Sequence, residues 1–239
     1  MNEPTEREDR ARYRVVSVAQ ETPRVTTLML TKEDGTIPPY VAGQYLTIYR
    51  PEGGADGKAY TVSSAPCERR LAISVKAVGA FSNRLAALRP GDVIAGSLPY
   101  GYFYSESRDT PLVMLASGIG VTPFRSMIVE SAVRNPTRPL TLFYGARTLA
   151  EAAFKDEFDR IAGCVPAFRV CYFVTGEPAM GVDIFAGRMD AGRVLGLAPD
   201  SANREFLVCG SIAFVRDLWR GLRAHGVSEE SLYTEAFFS

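Results

Sequence analysis

The stretch Leu112-Val113-Met114-Leu115-Ala116-Ser117-Gly118-Ile119-Gly120-Val121-Thr122-Pro123 decides how this chain is read. Leu112 to Ala116 are apolar without alternation and lead into glycines, the pattern of a strand buried on both faces. Glycines let the backbone turn sharply and approach a diphosphate closely, and the unpaired N–H groups of a following helix favour anionic oxygens. Thr122 is placed to cap that helix, and Pro123 suits its first turn, where a missing N–H costs nothing. The third glycine of G-x-G-x-x-G is absent, Pro123 standing in its place, and a ligand-free strand-to-helix turn would use the same residues.

Downstream of this stretch, strand-like and helix-like segments alternate. A helix is expected over 123–134, a strand over 140–146, a helix over 149–162 and a strand over 167–174. A helix near 184–195, a strand over 205–209, a helix over 213–225 and a final strand over 231–237 complete the half. Alternating units of this kind imply a doubly wound α/β parallel sheet with helices on both faces. Upstream the period changes to two. Short β-rich runs over 12–19, 24–31, 44–50, 59–64, 70–78 and 92–98 are separated by turn clusters such as Arg89-Pro90-Gly91-Asp92 and the Gly/Pro-rich 51–57. They read as a small antiparallel β-barrel interrupted by one helical stretch, 81–88. The polar segment 105–110 is the natural linker, so residues 1–106 and 107–239 are expected to form two domains.

Composition narrows the function classes. The chain has 239 residues, 46% hydrophobic and 23% charged, with 27 basic and 27 acidic residues. A formal net charge of zero carries no broad footprint for nucleic acid. No apolar run approaches the roughly 20 residues that span a bilayer, and the polar first residues do not resemble a signal peptide. A cytoplasmic protein without membrane insertion is expected. Cys67, Cys164, Cys171 and Cys209 form no C-x-x-C or plant-type iron–sulfur run, so any such cluster is expected on a separate chain. With one histidine, no metal site is expected. That residue, His225, sits beside Gly226 as a polar helix cap.

The barrel segment Lys58-Ala59-Tyr60-Thr61-Val62-Ser63-Ser64 places a cation, an aromatic ring and hydroxyls on one short strand. Alternation puts Lys58 and Tyr60 on one face and Thr61 on the other. A flavin site needs such pieces: a flat surface for the ring, a hydroxyl near its reactive nitrogen, and a cation for phosphate. A half-exposed barrel strand would also carry them.

Together and in this order, the two segments resemble the ferredoxin–NADP reductase superfamily, along roughly 12–239. Its barrel motif R-x-Y-[ST]-x-x-S is matched by Lys58, Tyr60, Thr61 and Ser64, with Lys in place of Arg. Ala42-Gly43-Gln44-Tyr45 resembles its P-G-Q-Y segment, and Gly79-Ala80-Phe81-Ser82 its G-x-x-S turn. Gly91-Asp92 and Pro99-Tyr100-Gly101-Tyr102-Phe103 resemble the elements closing the barrel. Gly118, Gly120, Thr122 and Pro123 match the nicotinamide loop G-x-G-x-T-P, which accounts for the missing third glycine. Tyr144-Gly145-Ala146-Arg147 and Cys209-Gly210-Ser211 resemble the next two landmarks, the latter with Ser in place of Pro.

The resemblance implies roles for these residues. Tyr60 would pack on the isoalloxazine of FAD, Thr61 would bond near N5, and Lys58 would neutralise the pyrophosphate as a point charge rather than a bidentate fork. Gly79, Phe81 and Ser82 would cradle the same pyrophosphate. Gly118, Gly120, Thr122 and Pro123 would hold the dinucleotide, with Cys209 and Gly210 near the nicotinamide. Glu235 would relay a proton, and Phe237 or Phe238 would cover the ring. An arginine after the second strand suits a 2′-phosphate, so Arg147, with Arg188 as a second cation, leans slightly toward NADPH. Thr175-Gly176-Glu177, however, lacks the arginine of the S-R-E seen in NADPH-selective flavodoxin reductases, and Arg147 reads equally as a solvated surface charge. The implied activity is an FAD-dependent oxidoreductase that takes hydride from NAD(P)H. Its electrons would go to a separate ferredoxin, flavodoxin or oxygenase component. A free-flavin or ferric reductase, and a non-enzymatic flavin- or dinucleotide-binding sensor or electron-transfer subunit, are the alternatives.

Overall fold

The structure, a computed structural model, describes residues 10–50, 56–198 and 203–237; residues 51–55 of the Gly/Pro-rich turn, and Phe238, lie outside them. The period-two half forms six antiparallel strands: β1 (Ala11–Thr22), β2 (Val25–Lys32), β3 (Tyr45–Tyr49), β4 (Gly57–Thr61), β5 (Leu71–Lys76) and β6 (Val93–Gly96). Their order is β4-β3-β6-β1-β2-β5. Just past β4, Val62 bridges Ile73 of β5, which brings the two ends of the sheet together. Alternate side chains such as Tyr13, Val15, Leu28, Leu30, Leu46 and Ile48 fill the interior, as a two-residue period requires. Helix α1 (Ala80–Ala86) packs Phe81 and Leu85 onto this core.

The second half is a six-stranded parallel sheet: β7 (Leu112–Ser117), β8 (Leu140–Ala146), β9 (Phe168–Val174), β10 (Ile184–Ala186), β11 (Glu205–Ser211) and β12 (Leu232–Phe237), ordered β10-β9-β8-β7-β11-β12. Helices α2 (Thr122–Arg134), α3 (Lys155–Cys164), α4 (Ala191–Leu197) and α5 (Ile212–Ala224) connect them. Both faces of β7 are covered. Met114 and Ala116 join Phe124, Ile128 and Phe158 of α2 and α3, and Val113 and Leu115 join Val194, Leu218 and Leu222 of α4 and α5. Burial on both faces is why this strand reads as a continuous apolar run. The first core also takes in Ala42 and Phe103 from the barrel side, so the two halves share apolar packing. No helix among the described residues is long and apolar enough to cross a membrane.

Three local expectations are corrected. The stretch expected as a helix near 184–195 is edge strand β10 followed by the short α4. Gly187 turns at φ +88°, and Asp190 accepts a hydrogen bond from Arg193 N at 3.0 Å to start the helix late. The helix expected over 149–162 is a 3-10 turn, Leu149–Glu151, then α3. Phe154 between them lies at φ +63°, which breaks the helical path. Thr122 is not a cap. It is already helical, and its hydroxyl donates back to Ile119 O at 3.0 Å.

Candidate dinucleotide and flavin site

Strand order reverses at β7, whose neighbours are β8 on one side and β11 on the other. In open parallel sheets, ligands bind beyond the carboxyl ends of the strands at such a reversal. Both glycine loops of this half lie there. After β7, Gly118 turns at φ +55° and Gly118–Val121 forms a single 3-10 turn leading into α2. A Cβ on Gly120 would lie 2.3 Å from Cys209 O and 2.8 Å from Gly210 Cα. The Gly118–Pro123 loop is therefore pressed against the Cys209–Ser211 loop, backbone on backbone.

A cavity of about 640 Å³ opens at this edge, lined by Ser117, Gly118, Arg147, Arg188 and Ser211 among others. The structure thus brings together the glycine loop and both expected cations, Arg147 from the end of β8 and Arg188 from the β10–α4 turn. Arg147 also organises the wall through its backbone, its carbonyl accepting from Gly176 N at 2.7 Å. Glu177 accepts from Leu149 N at 2.6 Å. His225 lines the same cavity, its Nδ1 2.8 Å from Gly221 O at the end of α5.

Cys209 is fully buried and pairs in register with Glu235 of β12. Burial, then the nearby Glu235 carboxylate, push its thiol well above the ordinary range. Glu235 is itself pushed up to about 7 by burial, so it titrates where proton exchange at neutral pH is easy. Phe237 is half-buried against the core beneath α2 and α3.

The motif residues Lys58, Tyr60, Thr61, Ser64 and Ser82 line neither this cavity nor the one of about 550 Å³. Lys58 is exposed, and Tyr60 is partly buried with its ring 6.4 Å from that of Phe81. Thr61 is 3% exposed, yet its buried hydroxyl has no partner. An orphaned buried hydroxyl costs about 1–3 kcal/mol, which a hydrogen-bonding ligand would recover. Ser64 and Ser82 have their hydroxyls engaged within the protein. Ser64 Oγ bonds Arg70 O and Ala72 N, both at 2.9 Å, and Ser82 Oγ accepts from Val78 N and Gly79 N at 3.0 Å. They shape the segments around them.

Sequence reasoning missed Lys76 and Arg125. Lys76 ends β5 of the barrel but lines the cavity beside the glycine loop, its Nζ 3.6 Å from where a Gly118 Cβ would stand. Its place at a strand end, with no motif around it, gives no local signal. Arg125 is a charged residue 7% exposed on an otherwise buried helix start, Thr122–Ile128. That placement inside an apolar stretch was the available clue.

Known proteins resemble this chain in sequence and in fold. Residues 114–219 match the family described as "Oxidoreductase NAD-binding domain". The flavohemoprotein of Bordetella pertussis is 30% identical over 246 residues, covering 94% of this chain and 60% of the relative. The "Terephthalate 1,2-dioxygenase, reductase component 2" of Comamonas sp is 28% identical, covering 94% of this chain and 67% of the relative. Among solved structures, the flavohem-like FAD/NAD binding domain of nitric oxide dioxygenase from Vibrio cholerae O1 biovar El Tor superposes with a TM-score of 0.83. It is 25% identical and covers 96% of this chain and 99% of that one. The chain thus spans about 60% of the length of the flavohemoproteins it matches. A six-stranded antiparallel sheet followed by a parallel one, with the glycine loop at the sheet's reversal point, completes the case. The chain has the two-domain fold of the ferredoxin–NADP reductases.

Proposed function

We propose that this chain is an FAD-dependent, NAD(P)H-oxidising reductase that passes electrons to a separate ferredoxin, flavodoxin or oxygenase component. Residues 1–106 would serve the flavin and 107–239 the dinucleotide. The observation that carries the reading is the buried, partnerless hydroxyl of Thr61 beside the exposed Lys58 and the half-buried Tyr60. A flat heteroaromatic ligand with a polar edge and a phosphate tail fits that set. FAD, when bound, supplies the exchange between two-electron and one-electron chemistry.

The protein's own contributions follow from position. Tyr60 offers its ring face, Thr61 a hydrogen bond, and Lys58 a phosphate counter-charge, with the backbone at Gly79–Ser82 alongside. Gly118–Pro123, with Lys76 above it, takes the dinucleotide pyrophosphate. Arg147 and Arg188 take the adenosine end, which favours NADPH slightly. Glu235, titrating near neutrality, holds or releases a proton beside the buried Cys209. The reductase-component relative supports a separate acceptor of the oxygenase type.

Purified protein is expected to be yellow with tightly held FAD and to bleach anaerobically with NAD(P)H. A colourless protein that turns over only with added flavin would replace this reading by a free-flavin reductase. Flavin that neither pyridine nucleotide reduces would leave only a binding role. At residue level, Thr61→Val is expected to leave the apoprotein as stable as wild type or slightly more so. Its FAD affinity should fall roughly 5–10-fold, the value of about one hydrogen bond; thermal melts of apoprotein and flavin fluorescence titrations report the two. Arg147→Ala is expected to raise KM for NADPH on the order of tenfold, a loss in the range of charge-assisted bonds, with KM for NADH unchanged. Equal effects on both donors would remove Arg147 from the 2′-phosphate role.

A further inference from the structure

The helix that begins at the dinucleotide loop also holds the end of the flavin strand. Three residues past Thr122, Arg125 extends its guanidinium out of α2 into the seam between the halves and uses all five N–H donors. Nε and one Nη2 hydrogen go to Glu157 at 2.7 and 2.8 Å, and two more hydrogens go to Glu68 at 2.9 and 3.2 Å. The fifth goes to the carbonyl of Ser63 at 2.7 Å. The next residue, Ser126, donates to the carbonyl of Ser64 at 2.5 Å. Two consecutive residues of the helix after the Gly118–Val121 turn therefore grip two consecutive carbonyls just past Thr61. A third tie, Cys67 N to Glu130 at 2.6 Å, extends the grip to the 3-10 turn Pro66–Glu68.

The charges belong to both halves. Glu68 comes from the barrel side and is also paired with Arg70; Glu157 comes from α3. Burial works against the Arg125 and Glu68 charges, but Glu68 and Glu157 hold the Arg125 guanidinium above its ordinary value, and Arg125 with Ala65 N holds Glu68 below its own. Such a network is a poor device for stability alone, since well-packed apolar residues often do as well or better in its place. What it supplies is a single geometry: a planar fork with fixed donor directions between two carboxylates and a carbonyl.

We propose that Arg125, with Ser126, is a positioning residue that fixes the register of the dinucleotide loop against the flavin strand. This rests on the flavin-and-dinucleotide reading above. The bonded path runs from Thr61 to Ser63 across the guanidinium to α2 and back along its first turn to Gly120. In a close-packed interior, that short path transmits displacement rather than absorbing it. Misplacing reacting groups by about 1 Å can cost on the order of 100-fold in rate.

The test uses the FAD holoprotein and Arg125→Lys, which keeps the charge but loses the fork, with Ser126→Ala as a milder variant that removes one bond. Wild type is mixed anaerobically with NAD(P)H first; if its flavin is not reduced, the parent reading fails, whatever the variants do. Given reduction in wild type, Arg125→Lys is expected to retain FAD and a near-normal half-saturating NAD(P)H concentration. Its saturating rate of flavin reduction is expected to fall roughly 10–100-fold. The long-wavelength absorbance of nicotinamide stacked on flavin, a readout independent of turnover, should weaken in parallel. Ser126→Ala is expected to shift both in the same direction, several-fold in rate. A wild-type rate and absorbance in Arg125→Lys, even with a lowered melting temperature, would overturn the proposal and leave a structural staple. Should Arg125→Lys fail to fold, wild-type behaviour of Ser126→Ala overturns it equally.

Discussion

Gly120→Ala is expected to destabilise the protein by about 3 kcal/mol, the range of overpacked interiors, and to abolish tight dinucleotide binding. The added methyl would stand 2.3 Å from Cys209 O, 2.6 Å from Cys209 C and 2.8 Å from Gly210 Cα. All three are backbone atoms of β11, locked in register with β7 on one side and β12 on the other. No side chain can rotate away, so the loop or the strand must move. For a protein of this size such a loss corresponds to a fall in melting temperature of roughly 6–12 °C. Thermal unfolding and a titration with NADP⁺ measure the two effects. Gly79→Ala is the contrasting control. It lies at φ −157° with no atom within 4 Å of an added Cβ, and is expected to leave the melting temperature nearly unchanged. Similar melting temperatures for wild type and Gly120→Ala would mean the two loops are less closely apposed than described.

The second large effect is a pH dependence. Burial lifts the Glu235 carboxyl from 4.5 to about 7. Between those values the unfolded chain has released the proton and the folded chain still holds it, so the folded state binds more protons and stability falls as pH rises. The stabilisation relative to an ionised reference is fully present below about pH 4.5 and is lost as pH climbs through about 7. Integrated over that window the change is on the order of 3 kcal/mol. Glu235→Gln cannot ionise and is expected to match wild type near pH 4.5 but to exceed its stability by that order at pH 8. Denaturant unfolding of the apoprotein across this pH range checks the sign. Parallel stability profiles for the two proteins would show that Glu235 is ionised in the folded state at neutral pH.

Much of the architecture was legible in the residue pattern because its causes are local. The change from period two to continuous apolar runs near Pro111 reports the change from a one-face to a two-face burial environment. The strands expected over 24–31, 70–78, 140–146 and 167–174 follow from that pattern. The helix expected near 184–195 failed because three residues of edge strand carry little periodicity. The turn at Gly187 and the cap at Asp190 then decided where the helix began. Around the candidate site, the glycine loop and the two arginines are brought to one cavity. Ser64 and Ser82 match the family motif, yet their hydroxyls are engaged inside the protein. A motif records residue identity and says nothing of which bonds a hydroxyl has left to offer.

The opening stretch Leu112–Pro123 could be read alone as a buried strand, a glycine turn and a helix start, because backbone sterics and burial act over a few residues. Its neighbours could not. That Gly120 lies against Cys209, that Lys76 crosses from the barrel to Gly118, and that Arg125 joins Ser63, Glu68 and Glu157 are contacts between residues 32 to 89 positions apart. Such pairings depend on strand order and on how the barrel seats against the sheet. No local propensity encodes them: they exist once both cores have formed and the charged seam has closed between them.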